Sequence, residues 1–455
     1  MERQPNTKLA NLIAEAEVSH LGLASRITAV AEEWRENIRP AHTQVARWIA
    51  GQQPRGTTPA LIAEALSRKL RRRVTLADIG MDNSTDAPET GLDFVESAEE
   101  LISGIGALWT ADVQRRRFLT GKVAAVSISH PAFQWLLAAP ASRPERAGSQ
   151  QIGMSEVLAI RATTAMFAGL DNRFGGAHSR TAAIQYLTDQ VTPLLNGSYT
   201  SAVGTALFSA VAEFNLTVGW MAYDTGLHGL ARRYLVQALN LSHHAGDRQL
   251  GASVLSAMSH QANYLGEHTE ALTFARAATQ AIHDRPSALL EAQFAAMQAR
   301  AAAAIPGRES ECLSALATAE AAFIRHRPCE GPEWIAYFDE SELSDEFAHC
   351  FRDLNRPAEA RRYAMQCLDA ETADYSRSRT FSRLVLAAAL LSQNELEEAC
   401  VVVTAALPRI QETGSTRCRT YLRDLRTRLN THADHPDVRE LMIHISRVLR
   451  PTRPQ

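Results

Sequence analysis

The segment Gly226-Leu-His-Gly-Leu-Ala-Arg-Arg-Tyr-Leu-Val-Gln-Ala238 carries the pattern that decides the fold. Its glycine is followed by a small residue five positions later, and by apolar or small residues nine and twelve positions later. The same spacing follows four further positions: Gly266, Gly307, Asn355 and Asn394. Glycine and asparagine best tolerate the left-handed backbone that ends a helix. The pattern therefore predicts, at each position, a tight turn between two helices.

Successive turn positions are 40, 41, 48 and 39 residues apart. Tetratricopeptide repeats have a period of about 34 residues, so longer loops or helices are expected here. Alanine, leucine, arginine and glutamate favour helix, and alternating β-branched runs are scarce. We therefore predict an all-α chain in which residues 191–455 form an α-solenoid of tetratricopeptide-like helical hairpins. An irregular helical bundle is the alternative.

The pattern of residues 1–80 predicts a separate small domain. Pro40 prevents a continuous helix in the middle of this segment, and Gly51 ends the helix that follows. The helical spacing of apolar residues predicts four helices, at about 8–16, 21–34, 41–50 and 58–70. Two stretches join this domain to the repeats: a polar linker at 81–91 and a helical connecting region at 92–190, with a short extended piece at 122–128.

Charge is distributed unevenly along the chain. Residues 1–80 contain twelve Lys or Arg and eight Asp or Glu, a net charge of +4, and the remaining residues carry −7. A basic domain on an acidic body is expected when only the basic domain meets a polyanion. The polar N-terminus and the lack of a long apolar run predict a cytoplasmic protein with no membrane partner. The six cysteines form no C-x-x-C pair and predict reduced thiols.

The segment Ala41-His-Thr-Gln-Val-Ala-Arg-Trp-Ile-Ala-Gly51 has the properties of a DNA-recognition helix. Val45, Trp48 and Ile49 recur at helical spacing and are expected to face the domain core. Glutamine can pair with adenine and arginine with guanine, so the outward residues predict base contacts: His42, Thr43, Gln44 and Arg47. Four arginines are expected to contact phosphates: Arg39, Arg55, Arg71 and Arg72. The alternative is a surface helix of a small bundle.

Residues 7–80 resemble the phage-repressor (XRE-type) helix-turn-helix, whose recognition helix commonly ends in an aromatic residue and a nearby glycine, here Trp48 and Gly51. The stretch 30–40 is longer than in compact versions of that domain. Two further segments, Phe167–Arg180 and Gly219–Gly229, resemble hallmarks of actinobacterial helix-turn-helix/tetratricopeptide regulators of the NsdA-like type. The resemblance implies transcriptional control, of development or secondary metabolism.

The first of these segments is polar around a glycine pair. Phe174-Gly-Gly176 predicts a tight turn or a close backbone approach. Polar side chains surround it: Asp171, Arg173, His178 and Arg180. Two interpretations remain open, a structural elbow in which Asp171 pairs with an arginine, and a ligand site.

The concave face of the repeats is a second candidate site. In tetratricopeptide hairpins the first helix lines the concave groove, and the register places eight residues there: Trp220, Tyr223, Asp224, His260, Asn263, Tyr264, His349 and Arg352. Aromatic, amide and charged groups are what peptide or small-molecule recognition requires. The alternative is an inner face that is polar only because it is solvated.

Catalytic and metal-binding motifs are missing from the sequence, including G-x-S-x-G, the Walker loop, G-x-G-x-x-G and H-E-x-x-H. Adjacent His243 and His244, with Asp247, point different ways on a helix and predict a surface helix end rather than a metal site. We therefore predict no enzyme, cofactor or metal. The predicted function is a homodimeric, sequence-specific regulator that binds double-stranded DNA, with a peptide, small-molecule or protein ligand in the groove. The alternative is a tetratricopeptide adaptor whose N-terminal bundle binds protein.

Overall fold

The chain folds as an array of α-helices, described here by a computed structural model. The described residues are 5–34, 36, 38–52, 54, 57–70, 72, 74–76, 78–81, 90–114, 123, 125–284, 287–327, 331–369 and 376–450. Over these ranges, β-structure is limited to two isolated bridges, Arg146 with Tyr199 and Gln151 with Ser198. The prediction of an all-α fold built as a helical solenoid is confirmed.

The N-terminal part, which we call the head, consists of α1 (Thr7–Glu15), α2 (His20–Glu33), α3 (His42–Ile49) and α4 (Thr58–Leu70). Each helix lies within one residue of its predicted bounds. The side chain of Asn6 connects the beginning and the end of the head. It accepts a hydrogen bond from the amide of Leu9 (3.0 Å) and donates one to the carbonyl oxygen of Ile79 (2.7 Å). The head therefore has its own hydrophobic core, which runs from Leu9 to Met81.

The rest of the described chain, which we call the body, is a succession of antiparallel helices. Its first helices are α5 (Ala98–Val113), α6 (Ala125–Leu137), α7 (Met154–Phe174), α8 (Gly176–Tyr186) and α9 (Thr192–Leu195). The hairpins follow: α10 (Ser201–Asp224), α11 (His228–His244), α12 (Arg248–Tyr264), α13 (His268–Ala281), α14 (Ala288–Ala303), α15 (Glu309–Arg325), α16 (Glu340–Asp353), α17 (Pro357–Asp369), α18 (Ser376–Ser392) and α19 (Leu396–Thr413). Helices α20 (Thr416–Leu429) and α21 (Pro436–Leu449) end the array.

All five predicted turn positions adopt a left-handed backbone. The φ angles are +81° at Gly226, +83° at Gly266, +81° at Gly307, +57° at Asn355 and +64° at Asn394. The small residue five positions after each turn is fully buried: Ala231, Ala271, Cys312, Ala360 and Ala399. Small side chains at these positions let the second helix of each hairpin approach the first, so the helical-hairpin pattern is confirmed.

Helices α5 and α6 of the connecting region pack against the hairpins. The indole of Trp109 on α5 donates to Asn215 of α10 (3.1 Å), and both side chains are fully buried. The indole of Trp135 on α6 donates to Ser242 of α11 (3.2 Å). The predicted boundary at residue 190 falls inside the helical run of α8, a π-helical turn and α9.

The extended piece predicted at 122–128 is wrong where the structure describes a continuous element, because α6 begins at Ala125. Residues 122 and 124 lie outside the described residues. Ile128 is fully buried in the same core as Trp135. A short apolar run does not distinguish a strand from a buried helix, and here the helix continues through residue 137.

Helix α10 is long and apolar enough to cross a membrane by length and composition. Within the described residues it is the one helix that passes this test, and 67% of its apolar window is buried inside the protein. Helices α7, α8 and α11 pack against it. This burial is typical of the core helix of a helical array.

The C-terminal helices return to the start of the body. Helices α18 and α19 pack against α7, and α19 also packs against α8. At this contact a Cβ atom on Gly175 would overlap the carbonyl oxygen of Thr413 at the end of α19. Glycine permits this approach, so the C-terminal helices are in direct contact with the start of the body. Next to it, a Cβ atom on Gly176 would lie 2.5 Å from the carbonyl oxygen of Met221 in α10.

Replacing Gly175 by alanine tests this contact. Gly175 has φ +84° and ψ 159°, a region that is essentially restricted to glycine, and it has no room for a Cβ. We expect Gly175→Ala to destabilise the body by more than about 2 kcal/mol, measured by thermal unfolding. Gly266→Ala is the control, since Gly266 has φ +83° but open space around it, and about 1 kcal/mol is expected there. Equal losses for the two variants would contradict the close approach.

Candidate functional site

Helix α3 presents a polar face to solvent. Val45 and Trp48 are buried in the head core, at 0% and 5% exposure, and Ile49 is half-buried. The four residues predicted to read bases are all exposed: His42, Thr43, Gln44 and Arg47. The helix is fixed at its end, because the amide of Asn6 donates to the carbonyl oxygen of Ile49 (2.8 Å). The sequence-predicted face therefore exists as one rigid, solvent-facing surface.

Gln44 caps the first turn of α3 with its side chain. Its Oε1 atom accepts from the amide of Ala41 (2.8 Å), where the alanine side chain cannot cap the helix. Bidentate pairing with adenine uses both the oxygen and the nitrogen of a glutamine amide. Adenine recognition would therefore require Gln44 to give up its capping bond. Arg47 is free of this conflict, since it has no hydrogen-bond or ion-pair partner among the described residues.

Two of the four predicted phosphate contacts lie in surface ion pairs. Arg39 pairs with Glu32 (3.1 Å), and Arg72 makes a bidentate contact with Glu15 (2.7 and 2.8 Å). Exposed pairs of this kind contribute about 0–1 kcal/mol, so a phosphate can compete for either guanidinium. The predicted contacts Arg55 and Arg71 lie outside the described residues.

The second candidate site is the inner face of the body, where the predicted groove residues converge. The hydroxyl of Tyr223 lies 3.0 Å from Nδ1 of His260, and its ring contacts Tyr264 at a centroid distance of 5.4 Å. The Trp220 ring lies 5.2 Å from His260. Asn263 faces the next hairpin, because its amide donates to the carbonyl oxygen of Arg300 (3.3 Å).

Helix α20 lies across this face and covers it. The guanidinium of Arg417 lies over the rings of Tyr223 (4.4 Å), Phe381 (4.7 Å) and Tyr264 (5.9 Å). One helical turn later, the ring of Tyr421 contacts His349 (5.6 Å), and the guanidinium of Arg352 lies 5.3 Å from the same ring. The predicted groove is therefore occupied by side chains of α20 rather than open. We call these residues the inner-face cluster: Trp220, Tyr223, His260, Tyr264, His349, Arg352, Phe381, Arg417 and Tyr421.

The sequence analysis missed Arg417 and Tyr421. The repeat pattern ends at Asn394, and residues of the inner face were predicted only on the first helix of each hairpin. The available signal was local. Ser415 caps α20 by accepting from the amide of Cys418 (3.2 Å), and an arginine and a tyrosine four residues apart lie on one face of the helix that follows.

Asp224 does not face a free groove, because it belongs to a polar cluster of four residues that we call the latch: Asp171, Asp224, Arg377 and Ser415. Oδ1 of Asp224 accepts from the hydroxyl of Ser415 (2.7 Å), and its Oδ2 lies 3.7 Å from Arg377. Arg377 also donates to Asp171 (2.8 Å) and Asn172 (3.3 Å). Burial raises the pKa of Asp171 above its usual range, although Arg377 opposes that shift. The pairing of Asp171 with an arginine, which the elbow interpretation predicted, is present.

The inner-face histidines are uncharged at neutral pH. Burial lowers the pKa of His260 and of His349 well below the usual range, and the nearby guanidinium of Arg417 lowers both further. Beside them, Arg300 and Glu346 form a buried ion pair between α14 and α16. The inner face therefore offers neutral hydrogen-bonding groups and arginines rather than titrating histidines.

The prediction that residues 243–247 form an exposed helix end is wrong, because both histidines are buried. His243 and His244 are 8% and 3% exposed, because residues 94 and 95 cover them. Nε2 of His244 lies 3.2 Å from the carbonyl oxygen of Val95. Among the described residues, no group of three or more His, Cys, Asp or Glu could hold a metal ion. The described cysteines are free and buried.

The head is similar to a known family of protein domains. Residues 9–82 match the family model of the SP15 N-terminal domain. These bounds coincide with the hydrophobic core of the head, which spans Leu9 to Met81. No curated protein matches the chain. The matched residues thus lie in the head.

Removing the central cation tests the latch. Arg377→Met leaves two buried carboxylates, Asp171 and Asp224, without their arginine, and we expect a loss of about 3–5 kcal/mol in the free energy of unfolding. Arg361→Met is the matched control, because Arg361 pairs with Glu398 at the surface (2.8 Å) and should cost about 1 kcal/mol or less. Thermal unfolding of both variants measures the difference, and similar losses would refute the role of the latch.

A second prediction concerns pH. Asp345 is 8% exposed, and burial, followed by the charge of Glu346, raises its pKa to about 6. The folded state therefore keeps a proton that the unfolded state releases, so this group lowers stability as pH rises from about 4 to about 6. Asp345→Asn cannot ionise, and it should gain up to roughly 3 kcal/mol relative to wild type over that window. A difference between the two proteins that is constant with pH would exclude this titration.

Proposed function

We propose that the protein is a sequence-specific, DNA-binding transcriptional regulator in which the head contacts DNA and the body senses a ligand or partner. The observation that carries the proposal is the exposed polar face of α3, held by the buried Val45 and Trp48. A short helix with this division of buried and exposed residues is the kind of element that enters a major groove. The net charge of +4 in residues 1–80 supports attraction to phosphates.

The burial of α4 and the proximity of its Glu64 to Glu267 of the body support coupling of the two functions. Every residue of α4 from Leu61 to Ser67 is buried. A helix that packs against the head core through one face would leave its opposite face exposed, so α4 is covered on both sides. The pKa of Glu64 is raised by burial first, and the carboxylate of Glu267 at the start of α13 is near enough to raise it further. Glu267 in turn pairs with the buried Arg232 of α11. A shift within the body can therefore reach the head through α4. As proposed, the regulator acts as a homodimer, so that such a shift changes the spacing of two heads on a two-fold site.

Binding to genomic DNA tests the proposal. Fragments retained by the full chain are sequenced at two salt concentrations, in parallel with Gln44→Ala/Arg47→Ala and with Arg26→Ala, whose arginine is exposed on α2. We expect wild type and Arg26→Ala to recover the same sequence motif. The double variant should lose it, since each bidentate base contact contributes about 1–3 kcal/mol of discrimination.

Two outcomes would contradict the proposal in different ways. Recovery of the same motif by the double variant would remove Gln44 and Arg47 from the recognition surface. Salt-sensitive retention of fragments without any shared motif would leave only nonspecific phosphate binding, and the adaptor function, in which the head binds protein, would then be favoured.

A further inference from the structure

Arg417 is a buried cation without a counter-charge in contact. The residue is 8% exposed, and it makes no hydrogen bond or ion pair with any of the described residues. Its Nε atom is buried without a partner. Other buried arginines of the body differ in this respect: Arg377 contacts Asp171, and Arg300 contacts Glu346. Burying an ion costs free energy that a hydrogen-bonded opposite charge normally offsets.

The surroundings of Arg417 offset only part of that cost. Rings of Tyr223, Tyr264 and Phe381 lie within 6 Å of its guanidinium, and cation–π contacts favour a cation there. Aromatic rings do not accept the directed hydrogen bonds of a guanidinium as a carboxylate or phosphate does. The hydrogen-bonding capacity of Arg417 is therefore unused on the inner face.

Two further nitrogen atoms on the same face also lack partners. Nε of Arg300, a donor, and Nδ1 of His349 are buried without a hydrogen bond among the described residues. Arg300 and Arg417 are both close enough to influence the titration of His260 and of His349, which places the four groups in one neighbourhood. Nitrogen groups from α12, α14, α16 and α20 thus converge. The carboxylate of Glu346 in this neighbourhood is already paired with Arg300, and no carboxylate of the described residues forms an ion pair with Arg417.

We propose that the inner-face cluster binds a small organic anion, whose carboxylate or phosphate group pairs with the guanidinium of Arg417 between the rings of Tyr223, Tyr264 and Phe381. The anion would supply the missing acceptor, and the rings would contact its apolar part. Because Arg417 lies two residues after Ser415 of the latch, the ligand would bind where the two ends of the body meet. This inference names a class of ligand for the proposed sensing function. Only the regulatory role of the ligand rests on that function, because the binding test uses no DNA.

The test is the thermal stability of the full chain in the presence of sodium phosphate, sodium benzoate or neutral benzamide, at constant ionic strength. A ligand that binds only the folded state raises Tm steadily with the logarithm of its concentration above Kd. We expect such a rise with phosphate or benzoate and none with benzamide. Tetra-alanine with a free or an amidated C-terminus forms a further arm. A response to the free acid alone would assign the anion to a peptide terminus rather than to a small molecule.

Arg417→Met keeps an apolar chain among the rings and should abolish the rise in Tm. Arg426→Met removes an exposed arginine of the same helix and should retain it. If Arg417→Met does not fold, saturable quenching of Trp220 provides the second measurement, with Trp220→Phe as its blank, because Trp220 contacts Tyr223 (5.6 Å). An unchanged Tm with every anion, or an equal response from Arg417→Met and wild type, would overturn the proposal.

Discussion

The pairing of Arg377 with Asp171 and Asp224 is the constraint on which the arrangement of the body depends. The three charges come from α18, α7 and α10, which lie far apart in the chain and become buried together. Each of them would be costly to bury alone, so the three helices are stable in this position only as a set. The glycine contact at residue 175 acts in the same direction, because α19 approaches too closely for any side chain there. A solenoid that could remain open is thereby closed end to end.

Closure determines what the inner face can do. In an open array of helical hairpins, the aromatic and polar residues of α10, α12 and α16 would face solvent. In the closed array, α20 covers them with Arg417 and Tyr421, and burial lowers the pKa of both histidines. A large ligand such as a folded protein could reach these residues only if α20 moved away.

The sequence predicted the local elements well, because their signals are local. Gly266 and Asn355 mark turns that the backbone requires, and Pro40 and Gly51 bound α3 as expected. The exposure of Arg47 followed from helical spacing alone. The covering of the inner face could not be predicted in this way, since it depends on contacts between residues nearly two hundred positions apart, such as Ser415 with Asp224. The burial of His243 and His244 was missed for the same reason, because residues 94 and 95 come from a distant part of the chain.

The most direct test of closure is the reactivity of Cys418 toward a thiol-alkylating reagent, followed by mass spectrometry of the full chain. Cys418 is fully buried next to the latch, and burial raises the pKa of its thiol to about 12. Closure predicts that Cys418 is alkylated far more slowly in the native protein than in urea, and that Arg377→Met accelerates it. Cys312, buried in the hairpin core away from the latch, should keep its slow rate in both proteins. Rapid alkylation of Cys418 in the native wild-type protein would show that the ends of the body are apart and would contradict the closed arrangement.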